Sequence, residues 1–284
     1  VPPEAAPLAG DDSGFATLGP ELVRLRDRLD ARFLAWAADC GAEPMLFPPL
    51  MRVADLERFD FFRSFPQLPL LAAPLRPEEL HDVAREGIDG DGEVAPERLA
   101  PAGWALPSAA CYNVYLHLQG AELAAPRYVT TIATCFRNEA FYDGLQRLHG
   151  FTMREIVCIG PREAVLAHLS DFKPRILAFA ERLGLGLEVQ TGADPFYEPQ
   201  SEKARMQQLF PQKEELVYGG SLAIGSLNFH RNFFGERCAI RTADGQPAFT
   251  GCVAFGIERW LHALRSRFGD ADRAAEALDA LRQA

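Results

Sequence analysis

Two β-forming runs lie close together in the middle of the chain, Tyr128 to Arg137 and Phe151 to Ile159. Both are dense in β-branched and aromatic residues, and the second alternates for most of its length. A polar loop carrying Arg147 and His149 returns from one to the other, as in a hairpin. Leu222 to Phe229, Arg237 to Thr242 and Phe249 to Phe255 read as further strands, the last two joined by a turn at Ala243-Asp244-Gly245-Gln246. Helical signals fall in separate blocks. Strands joined by hairpins, with helices set apart, predict an α+β fold: an antiparallel sheet flanked by helices.

Leu22, Leu25, Leu29, Phe33 and Trp36 recur at spacings of three and four, with Pro20 suited to the first helical turn and Gly41 to the end. A second helix is expected from Pro161, burying Val165, Leu169, Phe172, Ile176 and Phe179 and bent at Pro174. Two more close the chain, Ile257 to Phe268 and Ala271 to Arg282. Met45 to Phe47 is extended and ends at Pro48-Pro49. Residues 1–18 are expected to be a flexible segment, 74–106 a surface insertion, and 194–215 helical or irregular and charged. With no repeat and no dividing linker, residues 19–284 are expected to form a single domain.

A net charge of −10 speaks against a protein that grips a nucleic-acid backbone, whose phosphates call for a basic surface. No apolar run is long enough for a membrane span and none has the order of a signal peptide, so a cytoplasmic protein without a membrane partner is expected. Six cysteines, at 40, 111, 135, 158, 238 and 252, include no close pair and read as reduced thiols.

Period-two geometry puts Phe151, Met153, Glu155 and Val157 on one face of their strand, and a carboxylate on an aromatic, apolar face is unusual. Across the hairpin stands Phe136-Arg137-Asn138-Glu139. Arg137 is able to fork onto a phosphate while Phe151 stacks on a planar ring. Taken alone, these residues equally suit an Arg137–Glu139 surface salt bridge over a core Phe151, which is the plainer reading. Each cysteine, likewise, is by default a small buried hydrophobe. Cys135, on the face of Arg137, is the nearest of Cys40, Cys135, Cys158 and Cys238 to any such site. His149 is equally suited to phosphate contact or to capping its loop, and His230 reads as structural.

Phe136 to Glu139, Gly144-Leu145-Gln146-Arg147-Leu148-His149-Gly150-Phe151 and Glu155 together resemble motif 2 of the class II aminoacyl-tRNA synthetases, especially the seryl type. Gly251 to Trp260, GCVAFGIERW, resembles motif 3, and the first helix with Pro48-Pro49 resembles motif 1, whose proline lies at a dimer interface. Ala109-Ala110-Cys111-Tyr112, Asp194-Pro195-Phe196-Tyr197, Ser226-Leu227-Asn228-Phe229-His230 and Phe233-Phe234-Gly235 narrow the resemblance to the amino acid:[carrier protein] ligases. These are relatives of the atypical, zinc-dependent seryl-tRNA synthetases that lack the tRNA-binding domain.

The resemblance implies a class II synthetase-like core that activates glycine or alanine with ATP and Mg²⁺, then loads the phosphopantetheine thiol of a carrier protein. It implies a homodimer, and no tRNA, since nothing before Pro20 supplies a tRNA-binding arm. Carried over by motif, Arg137 binds the α-phosphate and Arg259 the γ-phosphate as the catalytic cations. Phe151 stacks on adenine beside Glu139, and Arg147 completes the ATP-binding set. Cys111, Glu155 and Cys252 hold Zn²⁺ with an open position for the substrate's amino group, and Ala254 with Glu155 borders the amino acid. The acidic residue that synthetases use for Mg²⁺ has no equivalent near Leu222–Ile224. Asn232 and Gly225 also depart from the expected acidic residue and Ala. Lys203 and Arg205 are candidates for receiving the carrier, though a solvated helix face is the default. The competing readings are a truncated seryl-type synthetase, which predicts tRNA charging, and a non-catalytic paralogue, which predicts a lost Arg or metal ligand.

Overall fold

The computed structural model describes residues 14–88, 90, 92–201, 205 and 212–281. In chain order the elements are α1 (Pro20–Asp39), β1 (Glu43–Met45), β2 (Met51–Arg52), α2 (Val53–Arg58), α3 (Phe61–Ser64), β3 (Leu70–Ala72), α4 (Leu80–Glu86) and β4 (Trp104–Leu106). There follow α5 (Tyr112–His117), β5 (Glu122–Leu123), β6 (Arg127–Phe136), β7 (Gly150–Gly160), α6 (Arg162–Arg182), β8 (Glu188–Thr191), β9 (Lys213–Tyr218) and β10 (Leu222–Arg231). The last are α7 (Phe233–Arg237), β11 (Arg241–Thr242), β12 (Phe249–Gly256), α8 (Ile257–Phe268) and α9 (Ala271–Ala280).

A seven-stranded sheet runs in the order β1-β6-β7-β12-β10-β9-β8, antiparallel except where β1 joins β6. Alternation along each strand divides its residues between two cores. Ile156, Val253, Phe255 and Leu216 face α1, α6, α8 and α9, where Phe33 stacks on Phe255 at 3.9 Å among Trp36, Phe179 and Trp260. Val157, Ile159, Val129 and Cys252 face the other way, beneath α5, α7 and the loops around α2 and α3. Ile224 and Leu227 are three residues apart yet share the first core, because a bulge between Ala223 and Gly225 reverses the alternation of β10. That bulge accounts for Gly225: a Cβ there would lie 2.9 Å from the Ala254 carbonyl oxygen.

Four sequence expectations need correction. Residues 14–18 pack against the loop between β6 and β7: the Gly14 carbonyl accepts from His149 N at 2.7 Å, and the Phe15 ring lies 5.3 Å from the His149 ring. Residues 1–13 of the expected loose segment lie outside the described residues. The insertion ends earlier than residue 106, since Trp104–Leu106 is the middle strand of a small β2-β4-β3 sheet. The charged stretch to residue 215 closes in strand β9, which pairs with β10 and β8. The expected strand Arg237 to Thr242 begins as helix α7, and β11 pairs in parallel with β5. The turn at Gly245 does form, with Gly245 N donating to Thr242 O at 2.8 Å, but only the Arg241–Pro247 bridge follows it. Gly235 of α7 packs against Ala248, just before β12, so closely that a Cβ would meet the Ala248 carbonyl oxygen.

Candidate active site

Strand register turns the second face of the sheet into a grid. Thr131, Glu155, Ala254, Ser226 and Glu215 form one row across β6, β7, β12, β10 and β9. Two residues along, Val129, Val157, Cys252, Asn228 and Lys213 form the next. In the opposite direction come Ala133 with Met153 and Gly256, then Cys135 with Phe151. Glu155 and Cys252 are therefore diagonal neighbours on adjacent strands with side chains on the same face.

Cys111 is brought down onto that face from above, as the residue that caps α5. The ligating atoms of Cys111, Glu155 and Cys252 all lie within 4.8 Å of one another, and all three residues are buried. Glu155 is 1% exposed. One of its oxygens, Oε1, accepts from the backbone N–H groups of Ala110 at 2.8 Å and Cys111 at 3.2 Å. The other, Oε2, is buried with no hydrogen-bond partner. A buried carboxylate oxygen left this way is costly unless something positive meets it. Hydrogen bonding to Cys252 pushes the Cys111 thiol up, with burial and the Glu155 charge adding to it. The same bond lowers Cys252, but burial and Glu155 outweigh it and leave that thiol raised too. Two thiols and a carboxylate crowded together suit a dication, which favours the deprotonated ligands that their own repulsion disfavours. The donor set fits zinc with a coordination position left over.

Around the trio, Asn228 Nδ2 donates to Cys252 Sγ at 3.3 Å and to Ser226 Oγ at 3.0 Å. His230 Nε2 is 3.9 Å from Cys252 Sγ, while its Nδ1 lies 3.3 Å from the hydroxyls of both Tyr115 and Thr250. It stands outside the three-residue ligand cluster, and burial lowers its pKa to about 4.

The trio floors a cavity of about 390 Å³, bordered by Ser108, Tyr112, Asp194 and Phe196 among others. A narrower one of about 100 Å³ is lined by Glu139, Gln146, Phe151, Glu215, Glu258 and Arg259. Arg137, Met153, Lys213, Ser226 and Ala254 line both, so the two chambers adjoin. Arg137 donates Nη2 to the Ser108 carbonyl at 3.2 Å and lies 5.1 Å from the Phe151 ring centroid. Arg259 is held by the carbonyls of Gln146 at 2.7 Å and Ala223 at 2.8 Å. Burial lowers its pKa first, and the nearby charges of Arg137 and Arg147 lower it further. Arg137 and Arg259 thus present two guanidinium groups to the narrow chamber, each able to fork onto an anion.

The plain alternative for Arg137 is not what forms: Glu139 accepts from Arg147 Nη1 at 2.6 Å instead. Arg147 also lies 4.4 Å from the Phe141 ring centroid and is not among the residues lining the narrow chamber. His149 accepts or donates at Nδ1 to the Tyr142 hydroxyl at 2.7 Å, a loop contact. Cys135 is buried beside Phe151, its register partner, with its thiol pushed up by burial and the Glu155 charge, and it lines neither chamber. Asn232 donates to Glu236 at 2.7 Å at the start of α7. Lys203 lies outside the described residues, and Arg205 is exposed. Sequence reasoning missed Lys213 and Glu215. Their signal was the β-prone Leu216-Val217-Tyr218 before Gly219-Gly220, which reads as one arm of a hairpin into β10.

A family model described as the tRNA synthetase class II core domain (G, H, P, S and T) matches residues 107–268. Amino acid--[acyl-carrier-protein] ligase 1 of Bradyrhizobium diazoefficiens is 32% identical over 292 residues, covering 90% of this chain and 85% of that protein. Ligase 2 of the same organism is 38% identical over 228 residues, 77% of this chain and 68% of that one. A type-2 serine--tRNA ligase of Methanopyrus kandleri is 26% identical, and 48% of its length is covered. In the solved structure of M. kandleri SerRS with A. aeolicus tRNASec, the fold agrees over 99% of this chain and 62% of that one, with a TM-score of 0.79 at 22% identity.

Proposed function

Because the chain belongs to the amino acid--[acyl-carrier-protein] ligase family, ligases built on the class II tRNA synthetase core, we propose that it joins glycine or alanine to ATP and then to a carrier protein's phosphopantetheine thiol. What supports this most directly is the meeting of the two chambers at Ala254, Ser226 and Arg137. One chamber ends in the Cys111–Glu155–Cys252 trio and the other in Arg259, so an amino acid and a nucleotide entering each would touch at Arg137.

In the first step a carboxylate oxygen of the amino acid attacks the α-phosphorus of ATP, pyrophosphate leaves, and an aminoacyl-adenylate remains. Cys111, Glu155 and Cys252 would hold zinc, which when bound supplies a Lewis-acid position for the substrate's neutral amino group. Arg137, fixed by the Ser108 carbonyl, meets the charge that develops on the α-phosphate without having to reorganise. Phe151 offers the adenine a face, and Arg259 the terminal phosphate a fork. Magnesium arrives with the nucleotide. In the second step the carrier's thiol sulfur attacks the acyl carbon and AMP leaves.

Ala254 bounds the space beside the trio, and its small methyl group leaves room there for the side chain of a small amino acid. One methyl is worth only about 1–3 kcal/mol of discrimination, which is why both glycine and alanine are proposed. A homodimer through the segment around Pro48-Pro49, where Leu46 is 80% exposed, belongs to the same reading. The net charge of −10 weighs against tRNA as acceptor.

The test is ATP–pyrophosphate exchange over a panel of amino acids, followed by mass analysis of a phosphopantetheinylated carrier. Exchange confined to the smallest amino acids supports the reading. A folded, metal-loaded protein that exchanges with none of them rules it out.

A further inference from the structure

The residues common to both chambers include two cations among the described residues, Arg137 and Lys213. Arg137 comes from the motif 2 hairpin. Lys213 comes from the opposite side, at the start of β9, in the same register row as Asn228 and Cys252. Two strand spacings separate Lys213 from Cys252, about 10 Å between Cα atoms. An α-amino acid spans about 3 Å from nitrogen to carboxylate oxygen and a lysine stem about 6 Å. Together these close the gap between a substrate amino group seated at the trio and the Lys213 ammonium.

The ammonium is held in place from two sides. Its Nζ lies 3.4 Å from Asp194 Oδ1 and 3.0 Å from Glu215 Oε1. An ammonium carries three N–H donors, and two carboxylates use two of them. Asp194 belongs to a loop pinned elsewhere: Gln67 Nε2 donates to the Pro195 carbonyl at 2.7 Å, and Phe196 stacks on Phe65 at 5.1 Å. The cation is thus braced before any substrate arrives.

We propose that Lys213 is a further substrate-binding residue, its remaining N–H taking the amino acid's carboxylate as that group meets the α-phosphate opposite Arg137. This rests on the activation reading above. It follows that Lys213 recognises the carboxyl–phosphate junction and not the nucleotide.

The probes are 5′-O-(N-glycylsulfamoyl)adenosine, which carries that junction, and ATP, measured by calorimetry on wild type, Lys213→Met and Asp194→Asn. Lys213→Met is expected to bind the sulfamoyl compound about 10- to 100-fold more weakly, with ATP affinity, metal content and melting temperature unchanged. Asp194→Asn, which keeps the ammonium, is expected to lose far less. Equal affinity of Lys213→Met and wild type for the sulfamoyl compound overturns the proposal. So does an equal loss in Asp194→Asn, which would make Lys213 a fastener of the 194–197 loop. A wild type that binds ATP but not the sulfamoyl compound removes the activation reading itself, and Lys213 with it.

Discussion

Arg154 forks onto Asp30, Nε to Oδ1 at 2.7 Å and Nη2 to Oδ2 at 2.6 Å, tying α1 to β7 one residue before Glu155. Neighbours in sequence, Arg154 and Glu155 point through opposite faces of the sheet, so one anchors the scaffold and the other enters the chamber. Thr130 links the two sides, accepting from Arg154 Nη1 at 3.3 Å and donating to the Glu155 carbonyl at 3.0 Å.

Asp30→Ala leaves Arg154, 6% exposed, as a charge without its carboxylate. A loss of about 3 kcal/mol in stability is expected from urea denaturation. Metal content in the folded fraction should be unchanged. Wild-type stability in this variant would show that the fork contributes nothing.

Glu155→Gln and Cys252→Ser each remove one member of the trio without changing its shape greatly. Glu155→Gln also replaces the orphan oxygen that makes the site attractive to a cation. Both variants, and wild type treated with a strong chelator, should lose bound zinc by elemental analysis and pyrophosphate exchange with it. Stoichiometric zinc in both variants would place the metal elsewhere.

Ala254→Val adds two methyl groups to a buried residue at the meeting of the chambers. Exchange with alanine should fall at least about fivefold more than exchange with glycine, because overpacking of about 1–3 kcal/mol falls on the larger substrate. An equal loss for both would mean that Ala254 does not bound the substrate side chain.

Arg259→Ala should lower kcat/KM for ATP by about 10- to 100-fold, the worth of charge-assisted hydrogen bonds to phosphate. Arg259→Lys should recover little, since one ammonium cannot reach both the Gln146 and Ala223 carbonyls that now orient the guanidinium. Full activity in the lysine variant would count against a fork at this position.

His168 is buried on α6, its Nε2 3.2 Å from the Ile156 carbonyl, and burial lowers its pKa while that bond and Asp171 oppose the shift. Tyr128 and Phe172 pack against its ring. The unfolded chain takes up the proton first as pH falls below about 6.5, so stability should decline from there downwards. His168→Gln should flatten that part of the stability–pH curve in denaturant titrations. An unchanged slope would assign the loss to other groups.

Local periodicity was enough to read β6, β7, β12 and the helices α1, α6, α8 and α9, because each buries one face or stripe against a core. It also placed Phe151, Met153 and Glu155 on one face, and Arg137 across the hairpin from Phe151. Motif likeness extended this to Arg259 and to the choice of Cys111 and Cys252 among six cysteines. The 213–218 strand was hidden by its charges, which a half-exposed strand near an active site carries without penalty. Arg237 was read as strand because its β-prone neighbours gave no sign that Gly235 approaches Ala248.

The sequence alone determined which residues share a face along each element that runs without a bulge, since side-chain direction there follows from periods of two and 3.6 within the element itself. Only the tertiary structure decided what those side chains meet. That Cys111 descends from α5 onto Glu155 and Cys252, and that Lys213 stands opposite Arg137, depend on how segments distant in the chain are set against one another. Register is set by burial of whole faces and by bulges such as that at Gly225, and these balance over the sheet, not within any one segment.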